Sequence, residues 1–384
     1  MKRNQPRITI GKKLRILLLF SISLFCIGYS GYSQSKVSKI FNKIFNDTTS
    51  IEKSKWIAYP TLSYAPETSW EIGVASALVY YAKNDTLNRL SEASGFSFIT
   101  LQGQYGAHFE HALYSDKNKW FALGKLKFQS YPLSYYGIGP DISGDELAVA
   151  NANFILIRER FLRNVKGHWY LGAEIDYERL SNVSFDWLQD QPSAGTILGE
   201  NGYSNLGLGL GLIYDNRHNV LNVRHGFLSE IGCLFNEPAW GSTNKLRTIF
   251  IDNRAFFKVT DKNVLGFQMI GQFSKGEVPF NQLSMIGGET IMRGYYLGKY
   301  RDKNLLALQT EHRWLPFKFS KRIGGAVFAG VGSVSPNLDF KKLFWSAGGG
   351  LRVLIFPKRD IFTRVDVGFT PDGPGFYMYI GEAF

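Results

Sequence analysis

The hydrophobic residues of this chain recur every second position, in segments of about ten residues. Leu206, Leu208, Leu210 and Leu212 alternate with Gly207, Gly209 and Gly211. Trp169, Leu171, Ala173, Ile175 and Tyr177 alternate with Tyr170, Gly172, Glu174, Asp176 and Glu178. Trp120, Ala122, Gly124, Leu126 and Phe128 alternate with a face that ends in Lys125, Lys127 and Gln129. A period of two puts each set on one face of a strand, whereas a helix would scatter it. The pattern predicts strands over 56–64, 69–83, 94–104, 107–115, 120–130, 148–163, 167–180, 203–215, 226–236, 245–259, 263–275, 304–314, 323–334, 343–356, 361–370 and 375–384. About sixteen strands, an even number with no convincing helix between them, are too many and too long for an ordinary open sheet. Exposed edges on such a sheet would aggregate, and closure in a membrane removes them. The expected fold is therefore all-β: an antiparallel transmembrane barrel of about 16 strands.

The connections agree with closure. Short turns at 116–119, 164–167, 261–263 and 357–360 alternate with long segments at 131–148, 180–202 and 276–304. Short periplasmic turns and long extracellular loops are the rule for outer-membrane barrels. Aromatics make up 15% of the chain, which suits interfacial girdles.

One apolar run, Ile16 to Ile27, follows six basic residues and precedes Gly31-Tyr32-Ser33. At about twelve residues it is short for a membrane helix, and its flanks are those of a secretory signal peptide. The expected division is a signal peptide over 1–33, a short periplasmic amphipathic helix and linker over 34–55, and the barrel over 56–384. The helix rests on Val37, Ile40, Phe41, Ile44 and Phe45, which share one stripe, with Lys36, Lys39 and Lys43 off it. It would pack on the barrel mouth or lie on the inner leaflet. The whole chain carries +12, but removing the six leading cations leaves 38 basic against 32 acidic residues, a net +6. An exported chain at +6 gives no reason to expect a nucleic-acid partner. Cleavage also removes Cys26 and leaves Cys233 alone, so no internal disulfide is expected.

The final residues, Gly375 to Phe384, put Phe376, Met378, Ile380 and Phe384 on one apolar face of a last strand ending in phenylalanine. Outer-membrane proteins commonly end this way, and the assembly machinery reads that strand, so these four are the candidate C-terminal assembly signal.

Upstream of the predicted strand 304–314 stands Gly287-Gly288-Glu289-Thr290-Ile291-Met292-Arg293-Gly294-Tyr295, and within that strand Glu311-His312-Arg313. This resembles the bacterial surface antigen family, the BamA/TamA-type outer-membrane barrels, whose sixth extracellular loop carries a GG…(V/L/M)RG(F/Y) motif. Pro60–Thr68, Tyr214-Asp215-Asn216-Arg217 with Gly226, and Arg364-Val365-Asp366-Val367-Gly368 resemble further family stretches, so the likeness spans roughly 56–384. The resemblance implies that the loop holding Gly287, Gly288, Met292, Arg293, Gly294 and Tyr295 folds into the lumen. Arg293 would there meet wall carboxylates, for which a planar, permanently charged guanidinium is suited. Glu311 is the partner by motif match. The family's second partner is an aspartate in an F-x-D-x-G strand. Here the stretch is Phe328-Ala329-Gly330-Val331-Gly332, with glycine in its place, so Glu311 serves alone or Asp366 or Glu289 substitutes. Only about twenty residues separate the expected cleavage site from Trp56, too few for the family's periplasmic POTRA domains.

Enzyme chemistry finds little support. His108 and His111 fall on opposite faces of a strand, and no nucleophile elbow or HExxH is present. No catalytic residue, metal or cofactor is expected. The resemblance implies a barrel that assists insertion or translocation of proteins or lipids. The alternatives are a passive pore, suggested by polar faces at 120–130 and 167–180, or a barrel subunit of a larger complex. Expected partners are outer-membrane lipids and lipopolysaccharide, the barrel assembly machinery during biogenesis, and a client or periplasmic protein.

Overall fold

A computed structural model describes residues 54–65, 69–142, 144–190, 197–217, 222–357 and 360–384. The expected signal peptide and the 37–45 amphipathic stripe lie outside these residues.

Sixteen long strands form one closed antiparallel ring. They are β1 (Lys55–Ala65), β2 (Ser69–Tyr81), β3 (Leu90–Thr100), β4 (Tyr105–Tyr114), β5 (Trp120–Ser130), β6 (Ala148–Lys166), β7 (Trp169–Trp187) and β8 (Tyr203–Asp215). There follow β9 (Gly226–Asn236), β10 (Leu246–Thr260), β11 (Asn263–Gly276), β12 (Asn304–Trp314), β13 (Ile323–Ser335), β14 (Phe344–Phe356), β15 (Ile361–Thr370) and β16 (Gly373–Ile380). Each strand pairs with the next in sequence, and β16 meets β1. A short strand, Leu133–Tyr135, extends the sheet beside β6, and a two-residue hairpin pairs Ser284–Met285 with Arg301–Asp302.

Alternation sorts the side chains as expected. Leu171, Ile175, Leu210, Ile249, Leu308, Val327 and Leu351 stand exposed on the outer wall. Glu174, Asp176, Arg160, Asp252, Gln268 and Glu311 are buried on the inner one. Such an arrangement is stable only where the outside solvent is apolar, which is the sense of a transmembrane barrel. Trp56, Trp120 and Trp169 begin β1, β5 and β7, and Trp314 ends β12, so all four sit at the short-turn end of the ring. They form one interfacial girdle.

Three boundaries differ most from the sequence expectation: β7, expected over 167–180, continues to Trp187, which pairs with Ala148 of β6. β3 runs over 90–100 instead of 94–104, because Thr100 accepts the turn's closure. Its N–H donates to Gln104 O at 2.9 Å and Gly103 turns at φ 84°. The last strand stops at Ile380. Gly381, at φ 89°, turns the chain away from the wall, a conformation that costs glycine little. Phe384 therefore leaves the face of Phe376, Met378 and Ile380. It is buried against Val223, Phe256 and Val264 instead, and Arg313 lies over its ring at 5.0 Å.

The seam between β1 and β16 is the weakest in the ring. Every other neighbouring pair of long strands is registered over at least eight residues, whereas β1 and β16 share one Cα pair, Tyr64 with Met378. Among the described residues, Lys55–Ser63 are registered with β2 on one side and with no residue of β16 on the other.

On the outer wall between β4 and β6, His111 Nε2 lies 3.1 Å from Glu159 Oε2. They face each other across Gly124, where any Cβ would come within 2.3 Å of the imidazole nitrogen. Phe109, Leu126, Ile157 and Phe161 surround the pair on the same face. Each partner is tolerable there only because of the other. Replacing His111 by leucine alone should cost on the order of 2 kcal/mol by stranding the carboxylate. The double change H111L/E159L should restore most of that loss. Chemical unfolding of refolded barrels in lipid checks this; equal losses in single and double variants would refute the pairing.

Candidate functional site: a loop arginine in a lumenal charge network

The segment between β11 and β12 enters the barrel. Ile286, Met292, Tyr295 and Tyr300 pack with Leu305, Ala307, Val334 and Phe344 into one buried cluster, an apolar core inside the lumen. Tyr295 lies edge-on to Tyr300 and Phe344 and donates its hydroxyl to Trp345 O at 3.0 Å. Burial, with Asp372 nearby, pushes that hydroxyl up to about 12, so it stays a neutral donor. Gln309 of β12 fixes the approach to the tip. It accepts from Met292 N at 3.3 Å and donates to Thr290 O at 2.8 Å.

At the tip Arg293 is 1% exposed and reaches two carboxylates. Nη1 donates to Asp366 Oδ2 at 2.5 Å, and Nη2 donates to Glu311 Oε2. The guanidinium also sits 3.6 Å above the Phe328 ring. The ring supplies its π-face where further carboxylates would have to be desolvated. Glu289, the other acid considered, is not among these contacts.

The missing family aspartate has a packing explanation. A Cβ on Gly330 would meet Met292 Sδ at 2.9 Å, so the loop methionine occupies the space a side chain would need. The second negative charge comes from β15 instead, as Asp366.

Neither carboxylate serves Arg293 alone. Arg313 Nε donates to Glu311 Oε1 at 2.8 Å, and Arg352 reaches Glu311 at 3.2 Å, Asp366 at 2.5 Å and Glu382 at 2.9 Å. Arg364 adds a 2.9 Å bond to Asp366. Four guanidinium groups thus converge on Glu311, Asp366 and Glu382, and Arg313 Nη2 also donates to Phe384 O at 2.9 Å. Removing a carboxylate would leave buried guanidinium groups without a counter-charge, which is what makes buried ion networks brittle.

The backbone of the tip is clamped by β15 and β16. Tyr377 Oη accepts from Gly294 N at 3.0 Å and donates to Tyr295 O at 3.1 Å. A Cβ on Gly368 would lie 2.3 Å from Arg293 O, and one on Gly375 would lie 2.9 Å from Gly294 Cα. Tyr377, Phe328, Gln309, Arg352 and Glu382 are the site residues the sequence reading did not single out. Tyr377 falls between Phe376 and Met378 in sequence, and alternation alone could not show what it would face. In the Tyr214–Arg217 stretch, at the short-turn end, Asp215 binds Arg217 at 3.0 Å and Arg89 at 2.9 Å.

These features define a class: a sixteen-stranded transmembrane barrel with a loop from its long-loop end folded into its lumen and held there by an arginine. The family model for the Omp85 superfamily domain matches residues 100–355, and the chain belongs to that superfamily. Membership implies a bacterial outer-membrane location. The fold is similar to BamA from Haemophilus ducreyi lacking POTRA domains 1-3, at 14% identity and a TM-score of 0.54, covering 86% of this chain and 70% of that one. It is also similar to CdiB from Acinetobacter baumannii (12%, TM-score 0.55) and from Escherichia coli (12%, TM-score 0.56). Those likenesses cover 86% and 85% of this chain, which spans 59% and 63% of the two CdiB chains. No curated protein matches the chain. The described residues hold the barrel and no POTRA-like domain.

Proposed function

We propose that this protein is a non-enzymatic outer-membrane barrel that inserts or translocates other polypeptides through an opening between β1 and β16. The observation that carries the reading is the single Cα pair joining those strands. An unpaired strand edge presents a row of N–H and C=O groups to which an incoming strand can add. Separating one pair costs far less than breaking any other seam of the ring. The loop tip rests on β15 and β16, through Gly368, Gly375 and Tyr377, so the arginine network braces the wall beside the opening and leaves the opening itself free. The family and the likeness to BamA and CdiB support the same reading. Its partners would be a client chain, the assembly machinery and the surrounding lipid and lipopolysaccharide.

A passive pore is less well supported, because loop residues 286–300 and their buried cluster occupy the lumen. The test is reconstitution. Vesicles holding the barrel should accelerate the membrane folding of an added outer-membrane barrel while showing little steady conductance. A large, stable conductance without acceleration would favour the pore.

A further inference from the structure

The turn between β12 and β13 differs from the other turns at its end of the barrel. Residues 315–322 read Leu-Pro-Phe-Lys-Phe-Ser-Lys-Arg, three cations and two phenylalanines with no acid. Turns 82–89, 115–119 and 261–262 each mix acids with their bases, and the two arginines of turn 216–225 are paired, Arg217 with Asp215 and Arg224 with Asp360. Lys318 and Lys321 form no ion pair among the described residues, and both are exposed.

The turn is built, not loose. Phe317 N donates to Ile323 O at 2.9 Å, Ser320 N donates to Phe317 O at 3.2 Å, and Ser320 Oγ accepts from Ile323 N at 2.9 Å. Its rings continue a stack down the outer wall. His312 and Trp314 are 4.5 Å apart, Trp314 and Phe317 6.2 Å, and Phe317 and Phe319 5.1 Å. Phe317 lies over Gly325, where a Cβ would meet its ring at 2.8 Å. Phe319, at the end of the stack, is 84% exposed.

Level decides what covers it. Trp314 ends its strand in the same girdle as Trp56, Trp120 and Trp169, where hydrocarbon gives way to headgroups. The turn just beyond that girdle lies at headgroup depth. Phosphate carries the charge found there, and Lys318, Lys321 and Arg322 are the charges that answer it.

We propose that residues 317–322 form a binding site for an anionic phospholipid of the leaflet facing the short turns. Lys318, Lys321 and Arg322 hold its phosphate, and Phe317 and Phe319 pack on the glycerol and upper chain. An acidic protein would also suit the cations, but the rings continue the lipid-facing side of the wall past the girdle, where lipid covers it.

Native mass spectrometry of the full barrel, titrated with phosphatidylglycerol or phosphatidylcholine, tests the site. Each surface cation is worth about fivefold, so K318Q/K321Q should weaken phosphatidylglycerol binding roughly twentyfold and leave phosphatidylcholine unchanged. K318R/K321R should bind as the parent does, and F319S should weaken both lipids. K117Q/K119Q, at a neighbouring turn, should change neither. Heat-modifiable electrophoretic mobility shows that each variant is folded. Undiminished phosphatidylglycerol binding in folded K318Q/K321Q would overturn the proposal, as would an equal loss in K117Q/K119Q. So would a lysine-dependent affinity for polyglutamate with no preference between the two lipids.

Discussion

Arg293→Ala is expected to destabilise the folded barrel by about 3–5 kcal/mol, because two hydrogen bonds to buried carboxylates are lost, each worth about 1.5–3 kcal/mol. Among the described residues Arg293 is the only loop residue bridging both Glu311 and Asp366, and each of the three is at most 1% exposed. The carboxylates keep Arg313, Arg352 and Arg364, so the wall remains neutralised while the loop loses its anchor. Two readouts should move together. The denaturant midpoint of the barrel in lipid should fall, and the 287–300 segment should become open to protease added from the long-loop side. Conductance should turn from small to frequent, large openings. Arg293→Lys should recover only part of the loss, because an ammonium cannot span two carboxylates as a planar fork does. An unchanged midpoint and an uncleaved loop would show that the apolar cluster alone holds the segment.

Gly294→Val should have an effect at least as large, by a different route. Gly294 sits at φ 119°, which a β-branched residue adopts only under strain. Its Cβ would lie 2.6 Å from Thr370 Cγ2 and 3.0 Å from the Gly368 carbonyl carbon, so it would press on backbone that cannot yield. The tip must withdraw, taking Arg293 out of reach of both acids. Gly368→Ala approaches the same contact from the wall, 2.3 Å from Arg293 O, without backbone strain in the loop. Each single variant should give the cleavable, conducting barrel described for Arg293→Ala. The double variant should be hardly worse than either, since a loop already expelled has no contact left to lose. Additive losses in protease resistance would contradict this.

Most of the wall was legible in the sequence, because a barrel strand has one solvent on each face and its alternation reports both. The Leu-Gly run at 206–212 and the acidic face at 174–178 lie where period-two reading puts them. The sequence also raised Glu311 and Asp366 as partners of Arg293, and the structure brings both to it. What it could not supply was register. Asp366 is 73 residues from Arg293 and Tyr377 is 84 away, so their meeting depends on how strands stagger around the ring. The same limit hid the His111–Glu159 pair, whose members are joined through β5. Phe384 was misplaced for a local reason: one glycine at position 381 ends an alternation that otherwise continues. The weakness of the closing seam has no signature in either strand alone, since both alternate normally.

That seam is the centre of the account, and locking it is the most direct test. In a background lacking Cys233, cysteines at Tyr64 and Met378 occupy the one registered pair of β1 and β16 and should form a disulfide on oxidation. Vesicles holding the oxidised barrel should lose acceleration of client folding, and reductant should restore it. A fully cross-linked barrel that accelerates folding as well as its reduced form would contradict passage between β1 and β16.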